Sequence, residues 1–150
     1  MIKIRQADEN DFRSIRILLK ELEESTKSHN NITQIELNKL FKEMSNFPAF
    51  YSNYVAVKDS IIIGFISIIF YKTLFHKGGT ALINELIISK DHRKKGVGRK
   101  LIEKAIQIAK QKGMDEIEVG TEMENTIAQS FYKKSGFDSE YILLGKEIGR

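Results

Sequence analysis

The chain has 150 residues, 41% hydrophobic and 29% charged, with net charge +4, a size and balance that suit one globular domain with a proper core. No apolar run approaches the roughly 20 residues that cross a bilayer, and MIKIRQADEN lacks the apolar stretch of a secretion signal, so the cytoplasm is expected and a membrane partner is not. The absence of cysteine excludes disulfides, thiolate metal sites and a cysteine nucleophile, and His29, His76 and His92 are too scattered for a zinc motif, so no metal is expected.

Ile2 and Ile4 alternate with polar residues and predict a short first strand. Asp8 or Asn10 can cap a helix whose Phe12, Ile15, Leu18, Leu19 and Leu22 recur at helical spacing. Its end, 21–27, turns acidic and then polar. A second amphipathic helix is predicted over 34–45 from Ile35, Leu37, Leu40, Phe41 and Met44. Tyr54 to Lys58 and Ile61 to Phe70 are β-branched and aromatic runs, and Asp59-Ser60 between them is short enough for a hairpin. Ala81 to Ser89 is nearly apolar throughout, as a buried central strand would be. The next helix places Leu101, Ile102, Ala105, Ile106 and Ala109 on one face and ends at Lys110, Lys112 and Gly113. Glu116 to Val119 predicts a strand, Asn125 to Ser135 a helix, and Tyr141 to Leu144 a last strand. The order β-α-α-β-β-β-α-β-α-β describes one mixed α/β domain over 1–150, with a βαβ crossover in its second half.

The basic residues are concentrated where a buried strand meets a helix, at Arg93-Lys94-Lys95-Gly96-Val97-Gly98-Arg99-Lys100. A helix start offers unpaired N–H groups and partial positive charge. Glycine there lets backbone approach a phosphate closely, and the Arg and Lys side chains add charge. The chemistry suits a pyrophosphate. No GxxxxGK[ST] string exists, and Leu101 stands where a dinucleotide fingerprint needs its third glycine or alanine. A bare strand-to-helix turn would also use Gly96 and Gly98, and Lys100 and Lys104 also suit a solvated face.

Two motifs together resemble the GNAT family of N-acetyltransferases. The first is Arg93-x-x-Gly96-x-Gly98 after a strand ending Leu86-Ile87-Ile88. The second is Asn125-x-x-Ala128-x-x-Phe131-Tyr132-x-Lys134-x-Gly136-Phe137. They occur in the family's order, with a helix and a strand between them, and the resemblance covers about 54–144, the expected acetyl-CoA-binding core. It implies a mixed sheet whose fourth and fifth strands splay around the cofactor. Backbone near Leu86 and Ile88 would pair with the pantetheine amides as an added strand would. The N–H groups from Lys94 through Lys95, Gly96, Val97, Gly98 and Arg99 to Lys100 would hold the pyrophosphate beside Arg93. Asn125 would contact the pantetheine arm and could equally be a helix cap. Tyr132 would protonate the departing thiolate, although a tyrosine beside Phe131 also suits a core. Acetyl-CoA would serve as acetyl donor in direct transfer to an amine. Glu85 is the candidate base, directly or through a water, with Glu122 in reserve. The acceptor is unidentified, and loops at 23–53 and 71–80 would shape its pocket. Glu21, Glu23 and Glu24 read as helix surface or as an attraction for a cationic amine. Family habit allows a homodimer.

Two rival readings stand beside this one. A pI near 9.2 suggests nucleic-acid binding, but the charge is confined to one turn with no recognition helix or aromatic-studded basic strand. A non-catalytic acyl-CoA sensor would keep the phosphate turn; the presence of Tyr132 argues for an enzyme.

Overall fold

The computed structural model describes residues 1–25 and 32–149; His29 and residues 26–27 of the predicted polar helix end lie outside the described residues. The chain runs β1 (Lys3–Gln6), α1 (Phe12–Ser25), α2 (Gln34–Ser45), β2 (Tyr51–Lys58), β3 (Ile61–Tyr71), β4 (Thr80–Ile88), α3 (Val97–Gln111), β5 (Glu116–Val119) and α4 (Thr126–Lys134). The five strands form one sheet in sequence order. β1 to β4 are antiparallel neighbours, and β5 joins β4 in parallel. Parallel pairing needs a crossover, and α3 supplies it. Asp59 and Ser60 both take positive φ, which gives the β2–β3 hairpin the backbone twist that two-residue turns require.

Each face of the sheet has its own apolar layer. Leu101, Ile102, Ala105 and Ile108 of α3 pack on Ala56, Ile68, Phe70, Ala81 and Ile83. On the opposite face Ile15 and Leu18 of α1 and Leu37 and Phe41 of α2 cover Val55, Phe65 and Ile87. Those three are neighbours in register across β2, β3 and β4. The Phe41 ring stacks on Phe12 at 4.6 Å and meets Phe65 edge-on at 5.7 Å, so aromatic contacts join both helices to the sheet. The apolar stripes read in the sequence therefore point inward. Among the described residues, no helix is long and apolar enough to cross a membrane.

One expected element is missing. Tyr141 to Leu144 is not a strand. A strand needs a backbone partner, and among the described residues β5 pairs only with β4. The segment instead leaves α4 with its side chains out, from 72% exposed at Tyr141 to 91% at Ile148.

Candidate active site

β4 changes partners along its length. Against β3, Ser67 faces Glu85 but Ile68 faces Ile83, so Asn84 is an extra residue. Such a bulge bends the strand that carries it. Pairing with β5 stops at the same place, with Ile83 opposite Val119. Asn84 to Ile88 therefore keep β3 on one side and have no strand on the other. The Ser89 N–H donates to the Ile63 carbonyl at 3.0 Å. By the alternation of an antiparallel ladder, Ile87 and Glu85 also turn toward β3, while Leu86 and Ile88 turn their backbone groups into the open gap. Arg93 reaches this edge itself, for its Nε donates to the Ile88 carbonyl at 3.1 Å. That leaves Leu86 as the open backbone position of the pair expected from the sequence.

The gap leads to the glycine turn. Lys94 and Gly96 both take positive φ, 57° and 80°. Gly96 is the N-cap of α3 and gives it no side-chain cap. The first intrahelical bond there runs from the Lys100 N–H to the Gly96 carbonyl at 3.2 Å. The N–H groups of Val97, Gly98 and Arg99 thus begin the helix without carbonyl partners, the arrangement that attracts an anion. Arg93, Lys94, Lys95, Arg99 and Lys100 are all exposed around it. Lys95 donates to the Asp91 carbonyl at 2.8 Å, and Arg99 pairs with Glu103 at 2.9 Å.

α1 holds this turn in place. The Glu21 carboxylate accepts the Lys90 N–H at 2.9 Å, and Glu24 pairs with the Lys90 ammonium at 3.0 Å. Two of the three glutamates read as helix surface or amine attractor thus hold the segment that leads into the glycine turn. His76, in the loop between β3 and β4, pairs with Glu116 and lies 3.8 Å from Asp115, tying its loop to β5.

α4 closes the other wall. Asn125 is its N-cap, and Asn125 Oδ1 accepts the Ala128 N–H at 3.1 Å, so its side-chain amide N–H groups stay available. Tyr132 is half-buried between Phe131 and Phe137, with ring separations of 5.3 and 5.7 Å. Its hydroxyl makes no hydrogen bond among the described residues. Burial pushes its pKa above the ordinary tyrosine value, so the phenol stays protonated at neutral pH. A groove of about 370 Å³ follows the helix past Thr126, Ser130, Phe131 and Lys134.

Glu85 lies on the face that α1 and α2 partly cover. Asn53, Ser67 and Glu85 stand in register across β2, β3 and β4, a polar row one step beyond the apolar row of Val55, Phe65 and Ile87. Ser67 is 2% exposed. Neither its hydroxyl nor the Asn53 carbonyl oxygen has a partner at hydrogen-bond geometry. Burial raises the Glu85 carboxyl above its ordinary pKa, and the nearby Ser67 hydroxyl offsets this only in part. The same face continues to Glu118, whose carboxylate accepts the Tyr71 hydroxyl at 2.9 Å. Glu122 is exposed in the turn before α4, and the nearby contacts use its carbonyl, which accepts from Asn125 and Gln129.

The model of the acetyltransferase (GNAT) family matches residues 15–137. The chain belongs to this family. An uncharacterized N-acetyltransferase of Methanocaldococcus jannaschii is 38% identical over 69 residues, 46% of this chain and 30% of that protein. The spermidine N(1)-acetyltransferase of Thermoplasma acidophilum is 31% identical over 104 residues, 69% of this chain and 60% of that one. The chain thus spans less than two thirds of the length of either relative. The structure of AAC(6')-Iy with the bisubstrate analogue CoA-S-monomethyl-acetylneamine has the same fold, with TM-score 0.83, 20% identity and 99% of each chain covered.

Within this GNAT fold the two motif glycines do different work. A Cβ on Gly98 would lie 3.1 Å from the Phe131 ring, whereas a Cβ on Gly96 would meet nothing within 4 Å. Gly98 makes room for α4, and substitution there would disturb the α3–α4 contact. Gly96 is required by its left-handed backbone. Gly96→Ala should fold, at a cost of about 1–2 kcal/mol, and weaken CoA binding about tenfold by tilting the helix start. Pantetheine, without phosphates, should bind both proteins alike. Calorimetry with the two ligands checks this; an equal loss for both would assign the effect to general damage.

Proposed function

We propose that this GNAT chain transfers the acetyl group of acetyl-CoA directly to a primary amine of a small molecule or protein. The observation that carries the reading is the open edge of β4 at Asn84–Ile88, which leads to the uncapped start of α3. An extended amide-bearing arm suits the first, and a pyrophosphate suits the second. Leu86 would pair with the arm, with the Ile88 N–H beside it while Arg93 holds the Ile88 carbonyl, and Lys94, Lys95, Gly96, Val97, Gly98, Arg99 and Lys100 would surround the phosphates with Arg93. Asn125 has amide N–H groups to offer the arm. In the groove beside Phe131, Lys134 of the second motif adds a cation, and Ser130 adds a hydroxyl that the motif reading did not single out.

Acetyl-CoA supplies a thioester already activated toward attack. The protein's part is to admit the amine as its free base, hold it against the carbonyl and exclude competing water. Glu85 is suited to take up a proton from the incoming amine, since its raised pKa makes the carboxylate a better base. The unpartnered Ser67 and Asn53 oxygens beside it can hold a water or an ammonium. Tyr132 keeps its proton for the departing sulfur. The acidic character of this floor favours a cationic acceptor, in keeping with the spermidine relative. The one-turn basic patch is spent on the phosphate turn, which leaves little for a nucleic-acid reading.

Thiol release from acetyl-CoA should depend on added amine, with cationic amines best. Mass spectrometry after incubation with acetyl-CoA alone should show no acetyl adduct, because the chain has no cysteine to carry one. Tight CoA binding with no release for any amine would turn the reading to a sensor. A kinetically competent acetyl-protein adduct would overturn direct transfer.

A further inference from the structure

Three loops meet at the end of the sheet remote from the glycine turn: 46–50 before β2, 72–79 between β3 and β4, and 112–115 after α3. Their stems are pinned to one another. The Phe70 N–H donates to the Phe50 carbonyl at 2.8 Å. The Lys112 ammonium donates to the Pro48 carbonyl at 2.7 Å and lies 4.9 Å from the centre of the Phe70 ring. Gly78 comes so close to the third loop that a Cβ there would collide with the Gly113 carbonyl, and the Asp115 N–H donates to the Gly79 carbonyl at 3.2 Å. The tips, by contrast, project. Thr73 Oγ1 accepts the His76 N–H at 3.1 Å, which places Leu74 and Phe75 at the head of a tight turn. They are 105% and 95% exposed, and Phe47 and Phe50 of the first loop are about half exposed at the same end. Lys72, Lys77 and Lys110 are exposed around them.

We propose that this end of the molecule docks on an anionic lipid surface, with Leu74 and Phe75 entering the headgroup boundary and the lysines facing the acidic headgroups. Single exposed apolar residues are ordinary, but a cluster rimmed by polar groups marks an interaction site. Shape favours lipid over protein here. A projecting tip needs a matching pocket on a protein, whereas a bilayer yields to it. Charge gives the sign. Lys72, Lys77, Lys110 and Lys112 outweigh Asp115, whose carboxylate accepts the Gly78 N–H and faces His76, and Glu43, which lies 3.9 Å from Lys39. Apolar insertion together with cationic attraction is what holds a protein on an anionic bilayer. The sequence argument against a membrane partner concerned a spanning segment, and surface docking needs none. β4 runs nine residues from this end to the glycine turn, roughly 30 Å at the rise of a strand. The docked protein would therefore keep its basic glycine turn in solvent.

Flotation of the full chain with lipid vesicles tests this. Vesicles of phosphatidylcholine and phosphatidylserine in equal parts should carry the protein, and vesicles of phosphatidylcholine alone should not. Added salt should release it, because salt screens attraction between exposed charges. Leu74→Ser with Phe75→Ser should abolish flotation and leave thermal unfolding unchanged, since both side chains stand outside the core. Lys77→Gln with Lys110→Gln should weaken binding about 25-fold, at about fivefold for each lysine near an anionic surface. A wild type that does not float with the mixed vesicles would overturn the proposal. So would flotation that survives the Leu74 and Phe75 double variant, or that is lost only on Lys94→Gln with Lys95→Gln, since the glycine turn would then be the lipid contact. Equal affinity for soluble polyglutamate would assign the surface to an acidic protein and overturn it as well. If the double serine variant does not fold, the comparison of the two lysine pairs still decides.

Discussion

Tyr132→Phe should lower kcat about 10²-fold and leave the affinity for acetyl-CoA unchanged. Both halves follow from the surroundings of the ring. Phe131 and Phe137 pack against it edge-on, and phenylalanine keeps those contacts. The hydroxyl has no protein partner among the described residues, so removing it orphans nothing and should cost little stability. What is lost is a proton held above its ordinary pKa by burial. A thiol with pKa of about 8.5 leaves more readily than an alkoxide, so acid help is useful without being total, and the low end of general-acid effects, about 10²-fold, is expected. A thioester with a more acidic leaving thiol should recover part of the rate. Steady-state turnover, with CoA affinity measured separately, checks the split between kcat and binding. Wild-type turnover in the variant, with chemistry rate-limiting, would return Tyr132 to a packing role.

Glu85→Gln should show the opposite signs in activity and stability. In the proposed role of base, Glu85 would work only when ionised, so kcat/KM of the wild type should fall as pH drops through its raised pKa. The glutamine variant should lose that limb and run about 10- to 100-fold slower near neutral pH. Stability follows from linkage. The folded-state pKa lies above the unfolded value, so the folded protein holds this proton more tightly. That contribution is present at low pH and is lost as pH rises through the folded pKa. Near neutrality the buried carboxylate is therefore a burden, and its neutral isostere should melt at the same temperature or higher. A carboxylate kept only for structure would lose stability on replacement. Loss of both activity and stability would count against Glu85 as a base.

The strong periodic elements were legible because burial writes itself into residue type. The apolar run 81–89 falls on β4, which spans Thr80–Ile88, and the stripe from Leu101 to Ala109 is the buried face of α3. The basic glycine turn at 93–100 was legible because glycines and cations are rare in that company. The bulge at Asn84 was not, since an extra residue in an apolar strand changes no local pattern, and only the registers with β3 and β5 reveal it. The role of Gly98 was hidden for a similar reason. Its neighbour is Phe131, and no local signal reports a contact made by folding. The Tyr141 to Leu144 run has the composition of a strand. Composition states a preference for pairing and does not name the partner.

The bond from Glu21 to the Lys90 N–H spans 69 positions of sequence. It joins the end of α1 to the segment that leads into the glycine turn before α3. The Glu24–Lys90 ion pair beside it makes the same tie. If an acceptor shifts α1, it changes the free energy of the phosphate turn, and CoA must change acceptor affinity by the same factor. Under the proposed function, acceptor and donor would then report on each other's presence through the Glu21 and Glu24 carboxylates.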